Sequence, residues 1–193
     1  GYDDTPMLPG QQWQVHDYRR PLPPVVAPGA EAGQPPSDAI VLFDGKDLSN
    51  WTGRDGEPKW KVTDGYMEVV PGTGTLTSKE RFGDCQMHLE FACPEVVKGE
   101  SQGRGNSGVF MMGLYEIQVL DGDKTKHGMG AVINEPESPY DAYAGVGKWN
   151  SYAITFRAAR VKDGKRVEKA MLTMYFNGKK VHRNQTISQV WGG

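Results

Sequence analysis

The stretch Gly105-Asn-Ser-Gly-Val-Phe-Met-Met-Gly-Leu-Tyr-Glu-Ile-Gln-Val-Leu-Asp121 decides the fold. It reads as two strands, over residues 107–112 and 114–120, joined at Gly113. Side chains alternate across a strand. Tyr115, Ile117 and Val119 therefore share one face and pack a core, while Glu116 and Gln118 share the other. A carboxylate beside a carboxamide on a core strand, entered through a Gly-rich loop, is the pattern of a polar cleft floor. The same alternation also describes a solvated outer face.

The neighbouring segments repeat the strand-and-turn rhythm. Residues 39–43 read as a short apolar strand ended by Asp44-Gly45. Residues 60–63 and 66–70 flank Asp64-Gly65, a dipeptide favoured in two-residue hairpin turns. A short strand follows at 76–79 and a long one at 85–93. Residues 122–148 read as loop. Residues 151–157 alternate cleanly, and 171–176 and 179–182 form a second hairpin around Asn177-Gly178. No window supports a regular helix. Regular short strands with turn signals predict an all-β sandwich or barrel.

Residues 1–37 differ in kind. They hold eight of the thirteen prolines, which excludes a regular core element. An extended, proline-rich N-terminal arm is expected, with Tyr2, Trp13 and Tyr18 as apolar anchors, followed by one domain over 38–193.

Composition narrows the function. The 193 residues carry a formal charge of −2 and 37% apolar residues, which gives no electrostatic footprint for nucleic acid. No apolar run approaches the roughly 20 residues of a membrane helix. Cys85 and Cys93 bound one strand and lie about 26 Å apart along it. A disulfide needs Cα atoms within about 7 Å, so both are expected to be free thiols on the apolar face with Met87, Leu89 and Phe91.

The polar row of that strand, Gln86, His88 and Glu90, supplies further candidates. His88 and Glu90 project to one side about 7 Å apart. If the strand shared a sheet with Glu116 and Gln118, the two rows would line one concave surface; otherwise they form a solvent-facing ion-pair row. Arg104 and Asn106 lie in the Gly-rich loop, where binding groups and plain turn chemistry are both common. His127 sits in the long loop. Lys148 and Trp149 suggest a rim on which a sugar could stack.

Several ordered motifs carry a family resemblance. Leu42-Phe-Asp-Gly-Lys-Asp-Leu-Ser-Asn-Trp51, Trp60-Lys-Val-Thr-Asp-Gly65, Gly105-Asn-Ser-Gly-Val-Phe110 and Tyr115-Glu-Ile-Gln-Val-Leu-Asp121 resemble the bacterial 3-keto-disaccharide hydrolase domain family over residues 38–184. Trp149-Asn-Ser-Tyr-Ala-Ile-Thr-Phe and Leu172-Thr-Met-Tyr-Phe-Asn-Gly-Lys-Lys-Val181 resemble the late strands of concanavalin-like and laminin-G-like jelly rolls. The resemblance implies an all-β, two-sheet antiparallel β-sandwich of the concanavalin-like jelly-roll type acting on a small carbohydrate, in a secreted or periplasmic bacterial protein. No signal peptide is read in these residues. Members usually add a closing strand with an Asp-His-Gly element beyond the last hairpin. It is expected to be absent before Trp191-Gly-Gly193. Gly130-Ala-Val-Ile-Asn134 also departs from the family's usual Gly-Ala-Ile-Tyr segment.

The chemistry the resemblance implies starts from a sugar already oxidised to a ketone at C3. The ketone acidifies the C2 proton, so a base removes it, the C1 glycosidic oxygen leaves, and water adds across the enone. The reaction needs a base, a donor to the leaving oxygen, and hydrogen bonds or positive charge at the enolate. Glu116 and Glu90 are candidate bases, His88 and His127 candidate acids, and Arg104 a candidate enolate partner. Asn106, Gln118, Asp121, His127 and Lys148 complete the substrate-binding set. The cofactor stays open between none and a divalent cation such as Ca²⁺ on carboxylate and amide oxygens, which would take the place of Arg104 with weak dependence. Two other classes stay open. Glu116-x-Gln118-x-x-Asp121 is similar to the Glu-x-Asp-x-x-Glu strand of jelly-roll retaining glycosidases. Many sandwiches, moreover, only bind sugars.

Overall fold

The structure, a computed structural model, describes residues 4–31, 33–121 and 127–190. Tyr2, the 122–126 part of the long loop and the terminal Trp191 lie outside these residues. The described chain is all-β and antiparallel, its one helical element being a 3-10 turn at Ser101–Gly103. No helix among the described residues is long and apolar enough to cross a membrane. Two compact units divide the chain, Gly1–Lys79 and Glu80–Gly193.

In the first unit, β1 (Trp51–Thr52) pairs with β4 (Thr77–Ser78), and β2 (Lys61–Thr63) with β3 (Tyr66–Glu68). The β2–β3 turn is the one expected. Asp64 (φ 48°) and Gly65 (φ 81°) are both left-handed, the conformation that makes Asp-Gly suit this turn. The expected strand over 39–43 does not form. Its carbonyls are taken by side chains rather than by a partner strand: Asn50 Nδ2 donates to Val41 O and Leu42 O at 3.2 and 3.3 Å, and the Trp51 indole donates to Leu42 O at 2.9 Å. Nearer the N-terminus Tyr18 is 73% exposed, with the Arg19 guanidinium 5.9 Å from its ring centre. Buried Asp17 does the ordering, accepting bonds from the Arg19 guanidinium and backbone N–H at 2.8–2.9 Å. These bonds, the guanidinium's first, hold the Asp17 carboxyl down at about 2.

The second unit is built on a four-stranded sheet ordered β12-β11-β8-β5. Its strands are β5 (Cys85–Ala92), β8 (Trp149–Arg157), β11 (Ala170–Phe176) and β12 (Lys179–Ile187). Register places Leu89, Tyr152 and Phe176 side by side, and Met87, Ile154 and Met174 beside them. One face of the sheet is thus continuous core. Against it pack Tyr115, Ile117 and Val119 of the hairpin β6 (Asn106–Met111) and β7 (Tyr115–Leu120). Two antiparallel layers on one apolar core are the expected sandwich. Both cysteines are free, Cys85 half-buried and Cys93 buried, as strand geometry requires.

Three local features were not read from sequence. A ribbon of β9 (Arg160–Lys162) and β10 (Lys165–Glu168) turns at Asp163-Gly164, whose φ values of 52° and 72° match those of the Asp64-Gly65 turn. Every residue of the ribbon is exposed, so no apolar alternation announced it. The second is an irregularity in β12. Leu172 pairs with Gln185 but Met174 with His182, leaving one extra residue on β12. Asn184 absorbs it at φ 48°, with Thr173 Oγ1 accepting from its backbone N–H at 3.0 Å. A second shift follows, since Tyr175 pairs with Lys180 and leaves Val181 as a further extra residue. Such a bulge re-aims side chains, and Val181 and His182 are consecutively buried. The third is the course of residues 128–133, which run along the free edge of β7. Ala131 O accepts from Gln118 N at 2.8 Å, Gln118 O from Gly130 N at 3.0 Å, and Glu116 O from Ile133 N at 3.0 Å.

Candidate functional site

The hairpin register explains how the cleft face is assembled. Asn106 lies opposite Leu120, Gly108 opposite Gln118, and Phe110 opposite Glu116. Directly opposed residues share a face, so Asn106, Gly108, Glu116 and Gln118 all project away from the core. Gly108 is a notch in that face. A Cβ there would stand 2.2 Å from Glu116 Oε1 and 2.8 Å from its Cγ. The Glu116 side chain therefore lies across the glycine, and the absent side chain is what admits it.

Around this floor a cleft of about 440 Å³ is lined by Gln102, Asn106, Glu116, Gln118, His127, Ile133 and Asn134. That volume lies within the few-hundred to thousand Å³ range of small-ligand sites. The wall formed by 128–133 is held from behind. His182, delivered by the bulge, places Nε2 at 2.8 Å from Gly130 O, and the Tyr152 hydroxyl donates to Gln118 O at 2.8 Å. Asn106 Nδ2 donates to Gln102 O at 2.9 Å and ties the entry loop to the same floor. Asn134 holds φ 66°, a conformation Asn tolerates better than most residues.

Four sequence candidates meet in this cleft: Asn106, Glu116, Gln118 and His127. The remainder are elsewhere. His88 and Glu90 face each other at 3.8 Å, each 55% exposed. Their strand turns its odd-numbered residues to the same core that receives the odd-numbered residues of β7. The two polar rows consequently lie on opposite sides of the core and line no common surface, so the expected meeting of His88 and Glu90 with Glu116 is corrected. Strand alternation set each row correctly; only the pairing of strands into sheets could show that they diverge.

Arg104 and Asp121 do not line the cleft and bind each other instead. Arg104 Nε donates to Asp121 Oδ2 at 2.7 Å, with Asp121 only 4% exposed. This bond raises the Arg104 pKa. Gly105 backs the pair, a Cβ there standing 3.1 Å from Asp121 Cβ. Nearby, burial pushes the Cys93 thiol and the Tyr143 hydroxyl up from their ordinary values. The cluster reads as a structural clamp on the Gly-rich loop. Lys148 is exposed on the turn closed by its N–H to Gly145 O at 3.3 Å, and it does not line the cleft. Gln102, Ile133 and Asn134 were missed. Asn134 ends the segment whose departure from the family pattern was visible, whereas Gln102 carried no signal.

His182 makes this wall pH-sensitive. Burial lowers its pKa below the ordinary 6.5, opposed by the Gly130 carbonyl. Above that pH the ring is neutral both folded and unfolded. As pH falls below it, the unfolded chain takes up the proton first, so folding stability declines. Melting curves at pH 7.5 and 5 should show this decline, and His182→Gln should make it shallower. An equal decline in the variant would place the titration elsewhere.

A family profile described as a 3-keto-alpha-glucoside-1,2-lyase-like domain matches residues 38–193. A candidate glycosyl hydrolase from Parabacteroides distasonis ATCC 8503 superposes with a TM-score of 0.84 at 37% identity, over 97% of this chain and 86% of that one. A second candidate glycosyl hydrolase from the same organism superposes at 0.55 with 18% identity, over 76% of this chain and 72% of its own, which speaks for the fold alone. No curated protein matches.

Proposed function

We propose a reaction from one premise: this chain belongs to the 3-keto-alpha-glucoside-1,2-lyase-like domain family. The reaction is cleavage of the glycosidic bond of a 3-keto-glycoside by elimination. Glu116 takes the C2 proton, the electron pair enters the enolate at C3, and the C1–O bond breaks to give a C1–C2 enone. His127 gives a proton to the departing oxygen. Carboxamides of Asn106 and Asn134 hydrogen-bond the enolate oxygen. Water then returns a hydroxyl to C1 and a proton to C2, completing a net hydrolysis.

The observation that carries this reading is the placement of Glu116 across Gly108, in a cleft with an imidazole and several carboxamides. Among the described residues lining it, no second carboxylate is present. The glycosidase alternative needs one about 5–5.5 Å from the first. Glu116 and Asp121 instead stand about 16 Å apart along the strand, with Asp121 neutralised by Arg104. Among the described residues no three His, Cys, Asp or Glu side chains converge as ligands.

A matched pair of substrates tests the proposal: 4-nitrophenyl glucoside and its 3-keto derivative. Release of nitrophenol from the keto sugar alone, above its uncatalysed rate, is expected. Deuterium from solvent should appear at C2 of the product. Cleavage of both sugars would indicate an ordinary glycosidase, and cleavage of neither a binding module.

A further inference from the structure

Gln118 is 4% exposed, lines the cleft, and has a side-chain oxygen with no hydrogen-bond partner among the described residues. Buried polar side chains in native proteins are nearly always paired, and an exception calls for a reason. Here the backbone cannot shift to find a partner. Gln118 N–H is bonded to Ala131 O, and Gln118 O accepts from both Gly130 N and the Tyr152 hydroxyl. Three bonds from two other segments fix the backbone from which this side chain projects.

We infer that Gln118 Oε1 is a specificity determinant, reading one free hydroxyl of the bound sugar. The inference rests on the cleft being the sugar site. A carboxamide oxygen only accepts, so its partner must be a donor. Ether oxygens and ketones are thereby refused. In a 3-keto-glycoside the C3 oxygen has no proton to give, which leaves a ring hydroxyl at C2, C4 or C6. A site built to bond a hydroxyl discriminates strongly against the analogue lacking it, because the protein group is then left unpaired.

The test separates binding from turnover. Methyl 3-keto-α-glucoside and its 2-, 4- and 6-deoxy analogues are titrated calorimetrically against the full chain carrying Glu116→Gln, which binds the sugar without turning it over. The Gln118 variants are made in the same background. One deoxy sugar should bind at least about tenfold more weakly than the parent sugar. Gln118→Met, and Gln118→Leu as a second apolar variant, should bring those two affinities to within about threefold. Both variants should melt at or above the parent temperature, because an unpaired buried acceptor is removed. Equal affinities for all four sugars, no binding of any, unchanged discrimination in the variants, or variants melting well below the parent would each overturn the inference. Because binding is read without cleavage, failure of the elimination chemistry would leave this measurement standing.

Discussion

Replacing Glu116 with glutamine is expected to leave a folded protein whose turnover of a 3-keto-glycoside falls by about 10²–10⁴-fold, the usual cost of losing a general base. Glutamine keeps the volume and most of the hydrogen-bonding capacity, so the side chain should still lie across Gly108. The loss should appear in kcat rather than in sugar affinity, because proton removal belongs to the transition state. Exchange of the C2 proton with solvent deuterium should fall in parallel. A variant that melts like the parent and keeps a tenth of its activity would assign Glu116 a structural role. Glu90 and His88 could not then take its place in this cleft, since they lie across the core from it.

The second large effect is expected from Gly108→Ala. The Gly108 backbone is not among the left-handed positions, so alanine meets no conformational barrier there. Its methyl group, however, would stand 2.2 Å from Glu116 Oε1 and 2.8 Å from Cγ. The flexible carboxylate end must move, and a misplacement of about 1 Å in a reacting group costs on the order of 10²-fold. Thermal melts should change little while kcat falls by about that factor. Combined with Glu116→Gln, the alanine should add almost nothing, because both changes act on one group. Full additivity of the two losses would mean that Gly108 serves something other than the carboxylate.

The sandwich was legible because its signals are local. Alternation in residues 115–120 set Ile117 against the core and Glu116 away from it, and the structure keeps both. Asp64-Gly65 marked its turn by the dihedral needs of two residues. Strand length alone ruled out a Cys85–Cys93 bridge. The errors came where partners are distant. Residues 39–43 have a strand's composition but their carbonyls meet Asn50 and Trp51 side chains, and no periodicity reports that competition.

By itself, then, the sequence determined which residues pair locally and which face each occupies, because a period of two is a property of the chain. Tertiary structure alone decided which of those faces meet. It sent the His88–Glu90 row to the far side of the core and closed Arg104 onto Asp121. It laid Glu116 over Gly108, and brought residues 128–133 beside β7 through Tyr152 and His182. The physical reason is the same in each case. Strand order, a bulge and a cross-sheet hydrogen bond join residues tens of positions apart, and hydrophobic alternation is blind to separation on that scale.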